Sequence, residues 1–554
     1  MTQAALKQNY LQLTSDLKKV KNTLALAASL PCFLRERVTL EQAKEGIQTN
    51  LETRSNRFLD LARARIYECP ASPYLRLLKH AGCDFSDLRA HVHSHGLEST
   101  LERLAAEGVY LTSDEYKGKK EVIRGGLSFK VCPDDFELPH SSPGFLTQSS
   151  GTNNQPVRSL SPLEWIGLRT LATGVFFFAH NLFSYSHALY DAILPASSIN
   201  HLLVNAKLGK RTDRWFARTI PFNNRLEGWY YQSATHLIVQ LGKWFGPGFP
   251  TPELLGADDT DRIVSWIAEQ KRLDKNSYLT TVASNAARVA RKAWQMGLSL
   301  EGTKFNVAGE PFTEEKEKAI QKVGATTTSR YSYGGQVSVG CGCGHPSYRD
   351  EVHVNQHLLA LIGHPRPLTG VDTVIHPLCL TTLDPAAPRL LLNVQNGDYV
   401  KLEERDCGCA LQQVGLTLHL HHIRSFEKLT SEGMNYFYGD LYELFEKALP
   451  GEFGGSPGDY QLVEEEDSNG QTRLTLLVHP GIGQLDEKRV LARLHAAFAD
   501  GSRGNRFMTG VWQNAGTFRM RREVPYASPR GKVLPLHIRR HQPSSDSEPA
   551  SLAG

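Results

Sequence analysis

An apolar stretch, a tight turn and a charged helix follow one another in this chain of 554 residues, and together they constrain its fold most. Residues 304–308 have the composition of a buried strand, and residues 314–322 that of the helix after it. Gly309-Glu310-Pro311 stands between them, at the carboxyl end of the strand, where open α/β sheets bind ligands. The pattern predicts an α/β fold with a ligand site at this turn. An ordinary strand-to-helix turn would account for the same residues.

A second segment has the composition of an anion-binding loop. Residues 145–156 contain small hydroxyl residues, one glycine and a final proline, and they precede a predicted helix that begins near Leu163. Small side chains let backbone N–H groups approach an anion, and hydroxyl groups add donors. No Gly-Lys-Ser or Gly-Lys-Thr triplet follows, which excludes the P-loop of nucleotide triphosphatases and leaves an ordinary turn as the alternative. The candidate phosphate ligands are Ser149, Ser150, Gly151, Thr152 and Asn153.

Three further segments stand later in the chain. Gly397-Asp398 follows an apolar run at residues 388–394 that predicts a buried strand. Residues 423–429 begin Ile-Arg-Ser, and a loop near the end contains Arg530-Gly531-Lys532. In this order the set resembles the phosphate loop, adenine-side Gly-Glu-Pro, ribose-binding aspartate, interdomain hinge and C-terminal lysine of the adenylate-forming enzyme superfamily. Within that superfamily the chain is most similar to phenylacetate-CoA ligase-like enzymes, over roughly residues 141–532.

The resemblance implies a large N-terminal adenylate-forming domain of layered sheets and helices, followed by a small mobile α+β domain. The expected boundaries are a helical subdomain at residues 1–140, an AMP-binding core at 141–423 and a lid at 424–540. Residues 541–554 are rich in Ser and Pro and are expected to be disordered.

The same resemblance implies an ATP-dependent ligase. A carboxylate would attack the α-phosphorus of ATP to give an acyl-adenylate and pyrophosphate, and a thiol, usually that of coenzyme A, would then take the acyl group. Lys532 would approach both anions, Asp398 the ribose, and Gly309, Glu310 and Pro311 the adenine side, with further nucleotide contacts from Tyr331 and Arg424. An amine, a hydroxyl or a carrier protein stays open as the acceptor. The family often forms homodimers.

One departure from the family pattern concerns Mg²⁺. Relatives usually place a glutamate after an aromatic-glycine block, and that carboxylate holds the Mg²⁺ that bridges the triphosphate. No carboxylate occurs here between Arg330 and Arg349, and Gln336 offers only a neutral oxygen to a hard cation. Weakened Mg²⁺ binding is therefore expected, and a catalytically silent binding protein of the same fold is the alternative to an enzyme.

Cysteine and histidine residues recur at spacings that suit a metal. Cys341-Gly342-Cys343 and His353 are followed much later by Cys407-Gly408-Cys409. Thiolate and imidazole are ligands that Zn²⁺ prefers, and a closed all-protein shell is structural, not catalytic. Some phenylacetate-CoA ligase-like proteins have such a site, so the resemblance implies structural zinc on Cys343, His353, Cys407 and Cys409. Free buried thiols are the alternative.

Bulk composition narrows the class of protein. A net charge of +4 without a basic, aromatic-rich block argues against nucleic acid. Nine irregularly spaced cysteines suit a reducing compartment. The most apolar segment, residues 171–183, is interrupted by His180 and falls short of the ~18 apolar residues that span a bilayer. We therefore expect a soluble, cytoplasmic protein. Aromatic residues after Gly174 predict either plain core or room for an aryl or medium-length acyl group.

Overall fold

A mixed sheet of twelve strands organises most of the residues that the computed structural model describes. These are residues 22–139, 142–148, 158–218, 225–256, 259–367, 374–425, 429–431, 434–436, 441–466, 472–499, 518–528 and 530–539. Contacts divide the chain into two units, Met1–Phe426 with Ser528–Lys532, and Glu427–Ala527 with Val533–Gly554.

The strands of the larger unit are numbered along the chain. They are β1 Val122–Arg124, β2 Leu127–Phe129, β3 Gly144–Gln148, β4 Arg158–Pro162, β5 Ser186–Tyr190, β6 Arg214–Arg218, β7 Pro252–Leu255, β8 Ser277–Val282, β9 Thr303–Ala308, β10 Thr326–Tyr333, β11 Val337–Gly342, β12 Val352–Val354, β13 Leu359–Gly363, β14 Arg366–Pro367, β15 Val374–Ile375, β16 Pro377–Thr382, β17 Val394–Glu404 and β18 Leu418–Ser425.

The helices of the larger unit lie before, between and after these strands. They are residues 22–35, Leu40–Glu52, Arg54–Ala62, Pro73–His80, Phe85–His95, Leu97–Ala106, Ser113–Tyr116, Leu163–Ala179, Ser198–Lys207, Arg225–Phe245, Thr260–Arg272, Ala283–Gln295, Glu314–Gln321 and Ala410–Gln413. Local sequence explains where several begin, because Thr39, Asp84 and Thr112 each form a reciprocal capping box with the residue three positions on.

The large sheet has a parallel half and an antiparallel half. Its order is β13-β16-β17-β18-β12-β11-β10-β9-β8-β5-β6-β7. The six neighbouring strands β10, β9, β8, β5, β6 and β7 pair parallel to one another. The strands from β13 to β11, and β11 with β10, pair antiparallel. All six residues of β8 are buried, as expected for a parallel strand that is covered on both faces. The predicted α/β fold class is confirmed.

The carboxyl ends of four parallel strands meet at one edge of this sheet. Leu189 of β5 is level with Thr280 of β8, and Val282 of β8 is level with Ala308 of β9. Strand β10 lies on the far side of β9 and runs in the same direction. The residues that follow β5, β8 and β9 therefore lie beside one another, as predicted for the Gly309 turn.

The apolar run at residues 388–394 was predicted to be a strand, and this prediction is wrong. Strand β17 begins only at Val394, so Asp398 lies within a strand and not after one. Asn393 has a positive φ of 49°, which breaks the extended backbone. The run is buried because it packs into the same core as the N-terminal helices, where Asn393 donates to the carbonyls of Leu101 and Val109. Apolar composition here reports burial, not a strand.

The smaller unit is an α+β structure. Its strands are β19 Leu429–Ser431, β20 Met434–Tyr436, β21 Tyr460–Glu466, β22 Thr472–Val478, β23 Phe518–Arg521 and β24 Leu536–Arg539. The hairpin β21–β22 and the helix Glu487–Ala499 agree with the sequence pattern. A four-stranded sheet in the order β23-β22-β21-β24 packs on a core that includes Phe445 and Val490.

No helix within the described ranges combines the length and apolar character that crossing a membrane requires.

Candidate functional site

The turn after β9 holds a lysine from the far end of the chain. Gly309 has a positive φ of 87°, and a Cβ added there would lie 3.1 Å from Cε and 3.5 Å from Nζ of Lys532. The ammonium group of Lys532 is thus packed over the backbone at the carboxyl edge of the parallel strands. A side chain at residue 309 would displace it.

The segment that carries this lysine is a closed turn. Ser528 accepts a hydrogen bond at its carbonyl from Gly531 N (2.7 Å) and at its hydroxyl from Lys532 N (3.1 Å). Two residues of the helix Ala283–Gln295 fasten it, since Arg288 donates to the carbonyl of Gly531 at 3.1 Å and Asn285 to that of Arg530 at 3.2 Å. The lysine is therefore held at both its backbone and its side chain.

A bidentate ion pair holds the same segment. Arg530 donates from Nε and Nη2 to the two carboxylate oxygens of Asp191, at 2.9 and 2.5 Å. Asp191 directly follows β5 and is 4% exposed. Asp191 is not among the residues predicted from the sequence, although it directly follows a strand of the parallel half, as Gly309 does.

Burial sets the charge state of Lys532. The residue is 8% exposed, and burial, followed by the neighbouring Arg530, lowers the pKa of its ammonium from 10.5 to about 8. The carboxylates of Glu310, Asp191 and Asp398 act in the opposite direction. The group is still mostly protonated at neutral pH, so it is a buried cation suited to an incoming anion.

Glu310 points into the protein. Its carboxylate accepts from the backbone N and hydroxyl of Ser284, at 2.8 and 2.7 Å, and pairs with Lys316 at 3.7 Å. The side chains of Glu310 and Lys316 are each 1% exposed. The carboxylate therefore ties the turn to the next helix, and an adenine-side role for residues 309–311 stays a prediction that concerns their backbone.

Tyr331 and Asp398 are brought together across the antiparallel half of the sheet. The phenol of Tyr331 donates to Asp398 Oδ2 at 2.6 Å and accepts from Asn396 Nδ2 at 2.5 Å. Burial and the adjacent carboxylate raise the pKa of Tyr331 well above its usual range, so the phenol stays a donor. The predicted nucleotide contacts at these two residues remain untested.

The predicted phosphate ligands, Ser149 to Asn153, lie outside the described residues. The strands on either side of them, β3 and β4, pair antiparallel from Gly144 with Pro162 to Gln148 with Arg158. Arg424 pairs with Tyr399 between β18 and β17 through its backbone, and its side chain is also outside the described part.

Gln336 is the residue whose neutral oxygen was considered as a ligand for Mg²⁺. It is 4% exposed, and its backbone carbonyl accepts from Trp165 Nε1 at 3.0 Å. Both atoms of its side-chain amide are shielded from solvent and have no hydrogen-bond partner among the described residues.

A second cluster joins the four predicted metal ligands. One ligand atom from each of Cys343, His353, Cys407 and Cys409 lies within 4.8 Å of the others. His353 Nδ1 bonds to the carbonyl of Leu416 at 2.6 Å, which turns Nε2 toward the sulfurs of Cys409 (3.1 Å) and Cys407 (3.5 Å). Residues far apart in sequence thus present three thiols and one imidazole nitrogen to one point.

Donors to sulfur surround this cluster. Cys343 Sγ accepts from His345 N at 3.3 Å and from Arg405 Nη2 at 3.6 Å, and Cys407 Sγ accepts from the backbone of Cys409 at 3.5 Å. Cys341, the other member of the first Cys-x-Cys pair, is not part of the group.

Comparison with known proteins finds remote likeness. No family model and no curated protein match this sequence. The chain is similar to the solved RpMatB-BxBclM chimera B1 with ATP bound, at 11% identity, with a TM-score of 0.42, over 72% of this chain and 68% of that one. ATP-bound MatB from Rhodopseudomonas palustris gives 12% identity and a TM-score of 0.39, over 87% of this chain and 91% of that one.

A third solved structure is o-succinylbenzoate CoA synthetase from Bacillus subtilis in complex with its acyl-adenylate intermediate. It gives 10% identity and a TM-score of 0.40, over 70% of this chain and 67% of that one. Similarity this remote assigns no role to any residue, so roles have to be inferred from the contacts within this chain.

Proposed function

We propose that this chain is an ATP-dependent ligase that converts a carboxylic acid into an acyl-adenylate and then transfers the acyl group to the thiol of coenzyme A. The observation that carries the proposal is the buried ammonium of Lys532, packed over Gly309 at the carboxyl edge of four parallel strands and held there by Arg530 and Asp191.

The first step brings two anions together. The carboxylate oxygen attacks the α-phosphorus, a new O–P bond forms, and the bond to pyrophosphate breaks. Charge neutralisation and alignment are what a protein can supply to such a reaction, and a fixed cation supplies both. Burial supports this proposed role of Lys532, because it limits competing water while leaving the ammonium protonated at neutral pH.

The proposal assigns the remaining nucleotide contacts to four further parts of the chain. Asp398, oriented by the phenol of Tyr331, accepts hydrogen bonds from the ribose hydroxyls, and the backbone of Gly309 borders the adenine. Ser149 to Asn153 hold the β- and γ-phosphates, and Arg424 contributes a further nucleotide contact. Each of these roles is part of the proposal.

The described residues fit Mg²⁺ only weakly. Mg²⁺ prefers anionic oxygens in an octahedral shell and is commonly held by substrate phosphates with one or two carboxylates. Gln336 offers one neutral oxygen, and Glu310 is committed to Ser284 and Lys316. ATP would therefore have to supply most of the ligands of a bound Mg²⁺, with Gln336 offering at most one neutral oxygen.

Carboxylate-dependent exchange of pyrophosphate into ATP tests the proposal. Lys532→Met is expected to abolish exchange, while Lys318→Met, which removes an exposed lysine paired with Glu314 and Glu315, is expected to leave it unchanged. Exchange by Lys532→Met at the parent rate would refute the assignment. If no acid in a broad panel supports exchange by the parent protein, the silent binding protein favoured by the missing carboxylate at Gln336 replaces the ligase.

The acceptor is tested separately. The preformed acyl-adenylate is mixed with coenzyme A, a phosphopantetheine carrier protein, an amine or an alcohol. The compound that yields an acylated product is the acceptor. If a carrier protein or an amine gives product and coenzyme A gives none, the proposed adenylation step stands and the proposed acceptor of the acyl group changes.

We also propose that Cys343, His353, Cys407 and Cys409 bind one structural Zn²⁺. Tetrahedral geometry with Zn–S of about 2.3 Å and Zn–N of about 2.1 Å places sulfur about 3.6 Å from nitrogen, close to the separations from His353 Nε2. The imidazole tautomer set by Leu416 and the donors to sulfur are the outer contacts that such sites use.

Elemental analysis of the purified protein tests the zinc site. We expect about one zinc per chain, lost in Cys409→Ser and retained in Cys341→Ser, which alters the neighbouring Cys-x-Cys residue outside the cluster. Zinc far below one equivalent in the parent protein, or equal loss in both variants, would contradict the site.

A further inference from the structure

An ion pair adjoins the candidate zinc cluster. Glu351 and Arg405 are joined through Oε1 and Nη2, and the side chain of Glu351 is 0% exposed. The same nitrogen of Arg405 donates to Cys343 Sγ at 3.6 Å and to the carbonyl of His345 at 3.0 Å. One guanidinium therefore contacts both a buried carboxylate and a sulfur that is a candidate metal ligand.

The carboxylate of Glu351 has all its acceptor positions in use. Oε1 accepts from His419 Nδ1 at 2.6 Å as well as from Arg405. Oε2 accepts from the backbone N–H groups of Ser347 and Tyr348, at 2.6 and 3.1 Å. These four donors match the roughly four lone-pair sites of a carboxylate. Glu351 is thereby fixed in place, and it fixes the guanidinium of Arg405 in turn.

Arg405 lies where a second metal ion would otherwise suit the side chains. One oxygen of Glu351, the sulfur of Cys343 and one ring nitrogen of His419 lie within 4.8 Å of one another, and these are the atom types that ligate metals. The guanidinium already bonds to this carboxylate and to this sulfur. The protein thus supplies the positive charge at this point from its own chain.

Charge balance gives this cation a role at the zinc cluster. Cysteine binds zinc as a thiolate and histidine as a neutral imidazole. Three thiolates around one doubly charged ion leave one negative charge in excess. Glu351 adds a second negative charge within 4.8 Å of Cys343, and two neighbouring buried anions are strongly unfavourable without a cation. Arg405 contacts both of them.

We propose that Arg405, held by Glu351, is a positioning residue for the metal ligand Cys343, where it offsets the excess negative charge of the zinc–thiolate shell and fixes the direction of the sulfur. The inference rests on the proposed zinc site and adds the residues that control how tightly the metal is held. A hydrogen bond from a cation is stronger than one from a neutral donor. This distinguishes Arg405 from the backbone donors to sulfur, which are His345 N and Cys409 N.

The affinity for zinc tests the inference. It is measured by competition with a chelating dye in the parent protein, Arg405→Met and Arg405→Lys. We expect Arg405→Met to bind zinc about 10- to 100-fold more weakly, the scale of an outer contact to a metal ligand. Arg405→Lys should retain part of the affinity, because it keeps the charge and loses the planar geometry.

The matched control alters the same loop without removing a donor to sulfur. The side chain of Gln412 accepts from Gly408 N and donates to Asp406 Oδ1, at 2.6 Å each. Gln412→Ala removes both hydrogen bonds and leaves Arg405 and the four candidate ligands in the chain. Its zinc affinity should stay near that of the parent.

Cobalt in place of zinc reports on the sulfur itself. A cation that bonds to a thiolate lowers its donor strength, so Arg405→Met should shift the sulfur-to-cobalt charge-transfer band of the Co²⁺ protein to longer wavelength. Gln412→Ala should leave the band at its parent position. A merely structural role of Arg405 would weaken metal binding without moving the band.

Three results would overturn the inference while the zinc site stands. They are an unchanged zinc affinity in Arg405→Met, an unmoved cobalt band in that variant, and equal affinities in Arg405→Lys and Arg405→Met. Should Arg405→Met not fold, Arg405→Gln, which keeps a donor but not the charge, undergoes the same two measurements. Zinc far below one equivalent in the parent protein defeats the proposed zinc site instead.

Discussion

Replacing Lys532 with methionine is expected to make the protein more stable while it removes adenylation. The pKa of the ammonium falls from 10.5 to about 8, first because of burial and next because of Arg530. In the unfolded chain the ammonium keeps its proton up to about pH 10.5. The charged group is therefore less stable in the native state than in the unfolded chain, and this difference lowers the free energy of unfolding. Methionine fills a similar volume without that cost.

The sign and size follow from proton linkage. Between pH 8 and 10.5 the unfolded state binds more protons than the native state, so stability rises with pH across this window. The penalty is fully present below pH 8 and is gone above 10.5. A difference of about 2.5 pKa units corresponds to about 3 kcal/mol. This is an upper limit, because the turn at Ser528–Lys532 can leave its buried position at lower cost.

Hydrogen exchange of the amides of β8 and β9 measures the stability of the larger unit by itself. Lys532→Met should raise the free energy of unfolding obtained from this hydrogen exchange by up to about 3 kcal/mol at pH 7. Urea unfolding over a range of pH should show that this increase in stability vanishes by pH 10.5. The same titration predicts that kcat/KM for adenylation by the parent protein falls as the pH rises through about 8. A variant that is less stable at pH 7, or whose gain does not depend on pH, would refute the reasoning.

Two more predictions concern the segment that carries the lysine. Arg530→Met leaves Asp191 buried without its cation, which should weaken docking of the Ser528–Lys532 segment by about 3 kcal/mol and lower pyrophosphate exchange about a hundredfold. Adding Asp191→Asn to the same chain should restore part of this activity. Strictly additive effects of the two substitutions would argue against a coupled pair. Gly531→Ala should also lower pyrophosphate exchange, because the φ of Gly531 is +89° and the new Cβ would lie 2.2 Å from Asn285 Oδ1. The control Gly126→Ala, at an open position without positive φ, should leave pyrophosphate exchange unchanged. Equal exchange rates in the two variants would contradict the close approach at Gly531.

Local chemistry made several elements predictable. The strand before Gly309, the helix after it, the hairpin β21–β22 and the helix Glu487–Ala499 depend on periodicity and on capping or turn residues that stand close in sequence. The apolar run at 388–394 failed because periodicity cannot distinguish a strand from an irregular segment that other elements bury.

The metal cluster and the lysine are intermediate cases. Residue type showed that Cys343, His353, Cys407 and Cys409 suit zinc, and the family resemblance singled out these four and Lys532. Sequence could not say whether Cys341 joins the first four, or that Lys532 lies over Gly309. Those facts depend on where β11 ends and how the turn at Ser528–Lys532 packs.

By itself, the sequence determined the α/β class, the position of Gly309 after a parallel strand and the residue types available for chemistry. Only the tertiary structure decided that Glu310 faces inward and that Asp191 binds Arg530. The reason is physical. The charge and pKa of a group depend on its burial and its neighbours, and those neighbours come from distant parts of the chain.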